Sequence, residues 1–291
     1  MSYIVTHTSP DWDAIMSCWL LQRHGGFESA RVEFVNTGSP DAETLAGAVA
    51  VVDTGRIYNP LHRRYDHHQD ACADSATSRV AMDLDTPAWL TPLIALVHHG
   101  DWGSPGEGAD WLRLVGLHAA LSGAKARGLS DAELLAYGYQ LLDDVAAHLK
   151  SQADARAMLD SVTVWKSADG LVWAIKDGGP QVTRAAGELG ARLVVYAYAT
   201  TDATPPRYGF GCWRCGGAEV TAPHVGRLVE TAHDMSRDQE APAMEAELAR
   251  WFRHPVGFFA GWGTDKAPRH EAPAVNVADV AKLISDMWVR S

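Results

Sequence analysis

The sequence predicts an α/β protein whose N-terminal part is built on a parallel β-sheet. Residues 3–6 and 48–52 are short apolar segments, and each of them ends at a polar loop. Segments with helical periodicity lie between them. Apolar strands that alternate with helices are typical of parallel sheets whose faces are covered by helices.

The elements of this first part follow one another in a regular order. The strand over residues 3–6 leads through a polar turn into a helix over 13–24, which ends at Gly25-Gly26. Residues 32–35 predict a second strand. Ser39-Pro40-Asp41 predicts the start of another helix, with a capping residue and an early proline, before the strand at 48–52.

The middle of the chain is predicted to be mostly helical over residues 78–150. Breaks are expected at Thr86-Pro87, at the glycine-rich residues 100–108 and at Gly128. Residues 131–159 have the pattern of one long helix or of two in sequence.

The last part of the chain changes its pattern. Residues 162–165 and 171–175 predict a β-hairpin, and residues 193–197 predict a further strand. Three more helices are predicted, over residues 222–234, 241–252 and 278–289. The change of pattern predicts two domains, residues 1–160 and a smaller α/β domain over residues 161–291.

The overall charge restricts the partners of the chain. The formal net charge is -11, whereas a protein that coats duplex DNA normally presents a basic face. A small phosphorylated substrate is compatible with this charge, because bound metal ions would supply positive charge. No leader pattern and no apolar run long enough to cross a membrane occurs, so we expect a cytoplasmic protein with no membrane partner.

Acidic residues and histidines cluster where the predicted strands end. They occur in four places, which are His7 with Asp11 and Asp13, then Asp53, then Asp66-His67-His68, and finally Asp101. Ligands of open α/β sheets bind outside the carboxyl ends of the strands, so these loops are in a position to converge. A single Asp in such a turn is more often a helix cap or a turn former. His98-His99 beside Asp101 stays unassigned.

The mixture of carboxylates and imidazoles suits a site for two divalent metal ions. Such a site needs enough ligands for both ions and one carboxylate that bridges them, and it activates a water and neutralises phosphoryl oxygens. Mixed oxygen and nitrogen ligands favour manganese or iron, whereas ligands that are all oxygen favour magnesium. We therefore expect two Mn²⁺ ions, with Mg²⁺ or Fe²⁺ as alternatives.

The order of these motifs resembles the DHH phosphoesterase superfamily, which includes RecJ-type exonucleases, cyclic-dinucleotide phosphodiesterases and family II inorganic pyrophosphatases. Within it, Val-Val-Asp53-Thr-Gly and Arg64-Tyr-Asp-His-His-Gln69 are similar to the Myg1-like branch, which is associated with metal-dependent exonuclease activity on RNA. The resemblance covers roughly the first hundred residues. It implies metal-dependent hydrolysis of a phosphoric ester.

The resemblance also implies a role for each motif residue. One ion would be bound by His7 and Asp11, and the other by Asp13, His67 and Asp101. Asp53 would bridge the two ions, so Asp13 and Asp53 are expected to be essential for catalysis. His68 would face the substrate phosphate. Asp66 would orient the histidine pair from behind, as carboxylates near metal-bound imidazoles commonly do.

The C-terminal part offers a glycine-rich segment, residues 253–266, as a substrate loop. Small residues let the backbone approach a phosphate, and a nearby aromatic ring can stack on a base. The expected substrate-binding residues are His254, Gly261, Trp262, Gly263, Lys266 and Arg269. An ordinary loop before the last helix is the alternative, because the Gly-Gly-Gly-His form common in the superfamily is absent. Residues 209–217 are glycine-rich too, and they predict either a second wall of the cleft or a bulged hairpin.

Two cysteines in this part leave a separate question open. Cys212-Trp-Arg-Cys215 forms a CxxC motif, but a structural zinc site needs two more ligands. His224 and His233 are the nearby candidates. A reduced, packed pair is the alternative interpretation.

Together these features predict a Mn²⁺-dependent phosphodiesterase or 3′–5′ exonuclease. Its partner would be short single-stranded RNA or DNA, or a small nucleotide, and oligomerisation is left open. A small-molecule phosphatase or pyrophosphatase is one alternative. A nucleotide-binding regulatory module without turnover is the other.

Overall fold

The computed structural model describes residues 2–37, 41–69, 74–101, 111–168, 170–176, 181–200, 207–214, 252–253 and 259–262. The chain divides into two compact units, Met1–Lys150 and Ser151–Ser291. Within the described residues, every helix is too short or too polar to cross a membrane.

The first unit contains a five-stranded sheet. Its strands are β1 (Tyr3–His7), β2 (Arg31–Val35), β3 (Ala50–Val52), β4 (Tyr58–Asn59) and β5 (Arg64–Tyr65). They are arranged in the order β2-β1-β3-β5-β4, and only β4 runs antiparallel to its neighbour. The predicted parallel α/β architecture is therefore confirmed. Strands β4 and β5 were missed, because two-residue strands in a turn-rich segment depend on pairing with β3 and with each other.

Two helices lie between strands of this sheet, and two more follow its last strand, β5. They are α1 (Trp12–His24), α2 (Ala42–Gly47), α3 (Ala76–Asp83) and α4 (Thr91–Asp101). The predicted helix start at residues 39–41 is confirmed in part, because the capping side chain is Asp41, which accepts the Thr44 N–H at 2.8 Å. Ser39 and Pro40 lie outside the described residues.

The helical middle of the chain continues with α5 (Trp111–Ala126) and α6 (Asp131–Ser161). The predicted break at Gly128 separates them, since Gly128 has φ +79°. Of the two interpretations of residues 131–159, the structure shows one continuous helix. Of the break predicted at residues 100–108, Gly100 and Asp101 still belong to α4, and residues 102–108 lie outside the described part of the chain.

The core of the first unit lies on both faces of the sheet. Along β1, Ile4 packs into the large cluster with α1, whereas the next residue, Val5, packs against the face covered by α2. Along β3, Ala50 and Val52 join the first cluster and Val51 joins the second. This alternation follows from the two-residue period of a strand and explains why the strand segments are apolar throughout.

The second unit is built on a separate mixed sheet. Its strands are β6 (Val164–Lys166), β7 (Val172–Lys176), β8 (Leu193–Thr200), β9 (Arg207–Arg214), β10 (Phe252–Arg253) and β11 (Phe259–Trp262), and its helix α7 spans Gln181–Glu188. The order is β10-β11-β9-β8-β7-β6, with β7 and β8 parallel and the other described pairs antiparallel. The predicted hairpin β6–β7 and the strand β8 are confirmed.

Two predictions for this unit differ from the structure. Of the helix predicted over 241–252, only Phe252 is among the described residues, and it lies in β10. The glycine-rich segment predicted as a loop contains β11, which pairs with β9 through Gly261 and Gly211. The aromatic residues Phe259 and Trp262 favour a strand, and the prediction gave more weight to the glycines of the segment. The predicted helices over 222–234 and 278–289 lie outside the described residues.

Gly138 marks the closest approach of α6 to α1. A Cβ atom built on it would lie 2.6 Å from Ile15 Cγ2 and 3.1 Å from Ile15 Cδ1. Because Ile15 is fully buried and β-branched, it has little freedom to move aside.

We expect Gly138→Ala to destabilise the protein by about 1–2 kcal/mol, since overpacking outweighs the better helix propensity of alanine. Gly123→Ala in α5 is the matched control, because the nearest atom to its added Cβ would be Arg127 Nη1 at 3.9 Å. That control should be neutral or stabilising by up to about 1 kcal/mol. Urea denaturation measures both changes, and equal effects at the two positions would contradict the close contact.

Candidate metal centre

Three adjacent parallel strands bring the candidate ligands to one edge of the sheet. His7 is the last residue of β1, Asp53 follows β3 directly, and Asp66-His67-His68 follows β5. Asp101 comes to the same place as the last residue of α4. The convergence predicted from the ends of the strands is therefore a property of the fold.

The first group of potential ligands consists of His7, Asp11 and Asp53. His7 Nε2 lies 3.1 Å from Asp53 Oδ2 and 3.9 Å from Asp11 Oδ1. His7 Nδ1 lies 2.8 Å from the carbonyl oxygen of Thr8. Since a carbonyl only accepts, Nδ1 carries the proton in this contact, and Nε2 is the nitrogen that faces the carboxylates.

The second group surrounds His67. Its Nε2 atom lies 3.3 Å from Asp53 Oδ1, 3.5 Å from Asp101 Oδ2 and 3.6 Å from Asp13 Oδ2. His67, Asp13 and Asp101 can offer their ligand atoms to one cation, and Asp53, His67 and His68 form a further, overlapping group. Three carboxylates from different segments thus meet at one imidazole nitrogen.

Asp53 stands between the two groups. Its Oδ2 atom faces His7 and its Oδ1 atom faces His67. The side chain is 2% exposed, and the backbone has φ +52°, a conformation that is uncommon for residues other than glycine. The Asp53 N–H donates to the Tyr65 carbonyl at 3.1 Å, so pairing with the end of β5 holds this unusual turn in place.

Asp11 and Asp13 also accept hydrogen bonds from backbone N–H groups at the N-termini of helices. Asp11 is the N-cap of α1 and accepts the Ala14 N–H at 3.1 Å. Asp13 is 1% exposed, and its two oxygens accept the N–H groups of Ala76 and Thr77 at the start of α3, each at 2.8 Å. The cap interpretation and the ligand interpretation therefore apply to the same side chains, because a carboxylate has lone pairs for both uses.

Asp66 fixes the position of His68. One of its oxygens lies 2.7 Å from His68 Nδ1 and 3.0 Å from the His68 backbone nitrogen. The other accepts the Arg56 N–H at 2.5 Å. His68 itself is 54% exposed, so Asp66 holds a side chain that is open to solvent beside the cluster. The contacts in the structure connect Asp66 to His68 rather than to both histidines.

Burial and mutual repulsion change the pKa values of the acids. Burial, with the charges of Asp53 and Asp101, raises the pKa of Asp13 to about 7. Burial also raises the pKa of Asp101 to about 6, although the His67 charge opposes it. With a pKa of about 7, the Asp13 carboxyl is partly protonated at neutral pH, and a bound cation would replace that proton.

The pKa values of the two histidines are raised as well, but by the neighbouring carboxylates and against the effect of burial. Burial would lower the pKa of His7, but the contact with Asp53, the Thr8 carbonyl and the Asp11 charge together raise it to about 9. Asp53, against the effect of burial, also raises the pKa of His67 to about 9. Burial would raise the pKa of Asp53, and its contacts with the two histidines outweigh this and lower it. The centre therefore attracts positive charge strongly.

The residues present fit a pair of divalent cations. Among the side chains that the structure describes, Asp53 Oδ1 and His67 Nε2 are buried and have no hydrogen-bond partner, although buried polar atoms are nearly always paired. The two groups contain four carboxylates, Asp11, Asp13, Asp53 and Asp101, which match the charge of two divalent ions. Carboxylate oxygens with imidazole nitrogens are suitable ligands for manganese.

Sequence reasoning missed two residues that hold the site together. Thr77 donates from its hydroxyl to the Asp13 carbonyl at 3.2 Å, in addition to its N–H contact. Arg79 is buried, donates to the Asp66 carbonyl and lies over the Tyr58 ring at 4.3 Å. The capping box of Ser75 and Ser78 was the only local signal in this segment, and it indicates a helix start rather than these contacts. His98, to which no role was assigned, has a buried Nδ1 atom that has no hydrogen-bond partner among the described residues.

The structure describes two of the six predicted substrate-binding residues. Gly261 and Trp262 lie in β11, where Trp262 pairs with Phe210 of β9. His254, Gly263, Lys266 and Arg269 lie outside the described residues, as does Cys215. These assignments stay predictions.

Comparison with known families supports the resemblance of the first part of the chain. Residues 3–85 match the family model MYG1_exonuc, described as an uncharacterised protein family (UPF0160). This range contains the motifs from His7 to His68, and the resemblance to the Myg1-like branch is confirmed over it. No curated protein matches the chain.

Solved structures with a similar arrangement were also found. The pGpG-specific phosphodiesterase PggH from Vibrio is 12% identical, with a TM-score of 0.34 over 100% of this chain and 98% of that one. RecJ from Thermus thermophilus in complex with Mn²⁺ is 16% identical, with a TM-score of 0.31 over 99% of this chain and 52% of that one. RecJ from the same organism in complex with Mg²⁺ gives 14% identity and a TM-score of 0.33, over 99% and 50% of the two chains.

Proposed function

We propose that the chain is a Mn²⁺-dependent phosphodiesterase or 3′–5′ exonuclease that acts on short single-stranded nucleic acid or on small nucleotides. The observation that carries this proposal is the position of Asp53. Its two oxygens lie 3.1 Å from His7 Nε2 and 3.3 Å from His67 Nε2, so one carboxylate is shared by two groups of ligands. This is the arrangement that a bridging carboxylate requires.

The ligands divide between two ions in the proposed site. His7 and Asp11 would hold one ion, Asp13, His67 and Asp101 would hold the other, and Asp53 would contact both. A pair of divalent ions supplies an activated water and positive charge for the phosphoryl oxygens. Metal occupancy would also replace the protons that Asp13, His7 and His67 otherwise hold.

The residues of the chain prepare the site before any substrate binds. The N–H groups of Ala76 and Thr77 fix both oxygens of Asp13 at the N-terminus of α3. Asp66 fixes His68, whose exposed imidazole is proposed to face the substrate phosphate. Such fixed groups stabilise developing charge without reorganising during the reaction.

The choice of substrate class follows from charge and from the family match. The net charge of -11 does not favour a long duplex, whose phosphates need many basic contacts. A short strand or a small nucleotide needs only the ions and a few side chains. The match of residues 3–85 to the MYG1_exonuc family supports cleavage of a diester. Trp262, Lys266 and His254 are proposed to contact the rest of the substrate.

The direct test is incubation of the purified chain with Mn²⁺ and a 5′-labelled RNA of a few nucleotides, a dinucleotide and pyrophosphate in parallel. We expect mononucleotides from the RNA and the dinucleotide, released stepwise from the 3′ end. The matched control is the Asp13→Asn, Asp53→Asn double variant, purified in the same way.

The other outcomes identify different functions. A large preference for pyrophosphate would replace the proposal with a pyrophosphatase. Tight nucleotide binding by calorimetry with no product above the double variant would show a binding module. Product from both proteins alike would show a contaminant and count against the proposal.

A further inference from the structure

The loop that carries His7 and Asp11 is held at Ser9 by two residues distant in sequence. The Ser9 N–H donates to Asp131 Oδ1 at 2.8 Å, and Lys125 Nζ donates to the Ser9 carbonyl at 2.9 Å. Lys125 lies in the last turn of α5, and Asp131 is the first residue of α6. Both polar groups of the Ser9 backbone are thus bound by charged side chains from the helical part of the first unit.

Ser9 needs such support because of its backbone conformation. Its φ is +53°, in the left-handed region that is unfavourable for residues other than glycine. The same turn places His7 and Asp11 so that His7 Nε2 lies 3.9 Å from Asp11 Oδ1. A relaxed Ser9 would change the direction of the chain between these two ligands.

The carboxylate of Asp131 is not required to cap its own helix. The N-terminus of α6 is already closed by Ser130 and Glu133, since Glu133 Oε2 accepts the Ser130 N–H at 2.8 Å and its hydroxyl at 2.7 Å. In return, the Glu133 N–H donates to Ser130 Oγ at 3.4 Å. This reciprocal pair is a capping box, and it leaves Asp131 to accept from Ser9.

We propose that Asp131 and Lys125 are positioning residues for the ion held by His7, Asp11 and Asp53. The inference rests on the proposed metal centre, but it concerns affinity for the ion rather than the choice of substrate. The second group of ligands has its own support, from the start of α3, and does not depend on Ser9. Loss of the Ser9 contacts therefore weakens one ion selectively.

The test is titration of the metal-free full-length protein with Mn²⁺, followed by calorimetry and by electron paramagnetic resonance. Asp131→Ala is expected to weaken one of two ions by about 10–100-fold, as is usual for groups that orient a metal ligand. The second ion should be bound as in the unmodified chain. Asp131→Asn keeps an oxygen that can accept from Ser9 and should retain affinity to within a few-fold.

Lys125 provides an independent variant with the same expected pattern. Lys125→Met should weaken the same ion, and Lys125→Arg should restore it, because arginine can donate to the Ser9 carbonyl. The matched control is Glu133→Gln, which removes the negative charge from the first turn of α6 without touching Ser9. It should lower thermal stability and leave both Mn²⁺ affinities unchanged.

A structural effect and a positioning effect give different results. If Asp131→Ala and Glu133→Gln change Mn²⁺ binding equally, or neither changes it, the inference is overturned. If the unmodified chain binds no Mn²⁺, both this inference and the proposed function fail. If it binds two ions with the expected pattern but hydrolyses no phosphoric ester, the proposed function fails and the positioning role stands. Amide exchange of residues 7–11 in metal-free protein checks the loop directly and should accelerate in Asp131→Ala but not in Glu133→Gln.

Discussion

Replacement of Asp53 by asparagine should nearly abolish metal-dependent hydrolysis. The substitution keeps the shape of the side chain but removes the charge that lies between His7 and His67. Two ions would then be held less tightly and share no carboxylate. A loss of several kcal/mol of transition-state stabilisation corresponds to roughly 10³-fold or more in rate.

Asparagine is a better choice than alanine at this position. Asp53 has φ +52°, and asparagine adopts the left-handed region more readily than alanine does. Asp53→Ala would add backbone strain to the loss of a ligand, and the two effects would be confused. Circular dichroism and the melting temperature should show that Asp53→Asn is folded.

Asp143→Asn is the matched control for this experiment. Asp143 is also an aspartate paired with a basic side chain, since Arg23 Nη2 lies 2.8 Å from its Oδ2 atom, but it belongs to neither ligand group. Its replacement should change the rate less than about 3-fold, as expected for an exposed ion pair. A folded Asp53→Asn protein with the activity of the Asp143→Asn control would exclude the proposed role of Asp53.

Removal of divalent metal should lower the melting temperature, and the effect should grow with pH. Four carboxylates in the two groups repel one another without cations. An ion present at 100 times its dissociation constant stabilises the folded state by about 2.7 kcal/mol. We therefore expect a drop of several degrees when a chelator is added near neutral pH.

The direction of the pH dependence follows from the pKa values in the metal-free protein. His7 and His67 have pKa values raised to about 9, so the stability that they contribute is complete below the unfolded value and is lost as the pH rises through 9. The pKa of Asp13 is raised to about 7, so its ionisation costs stability between the unfolded value and pH 7. The metal-free protein is therefore less stable at pH 9 than at pH 6.

Metal binding has the opposite preference, because it needs deprotonated ligands. The difference in melting temperature between Mn²⁺-loaded and chelated protein should thus be larger at pH 9 than at pH 6. Differential scanning calorimetry under argon, which prevents oxidation of Mn²⁺, measures both states at each pH. A difference that does not change with pH, or a chelator without effect, would show that these side chains do not share ions.

The fold of the first unit could be predicted largely from local patterns. The strands are apolar throughout because both faces of the sheet are buried, and this run of apolar residues is visible in the sequence. The strands β4 and β5 could not be predicted, because their two-residue segments form through pairing with neighbours. In the second unit, β11 was taken for a loop because the prediction gave more weight to the glycines of the segment.

The chemistry to which the first part of the chain is suited can be inferred from its residues in order. The candidate ligands from His7 to Asp101 have recognisable types and order, and the ends of strands place them at one edge. The family resemblance implied their division into two groups, but the distances within each group come only from the tertiary structure, since a distance such as that from His67 to Asp101 depends on packing between segments. The contacts of Ser9 with Asp131 and Lys125 also depend on the tertiary structure. These two residues are 122 and 116 positions from Ser9 in the sequence, and no local pattern indicates contacts over such separations. Sequence patterns indicate which residues of a segment are buried and which residue caps a helix. Contacts between distant segments form only when the chain packs, so no local pattern indicates them.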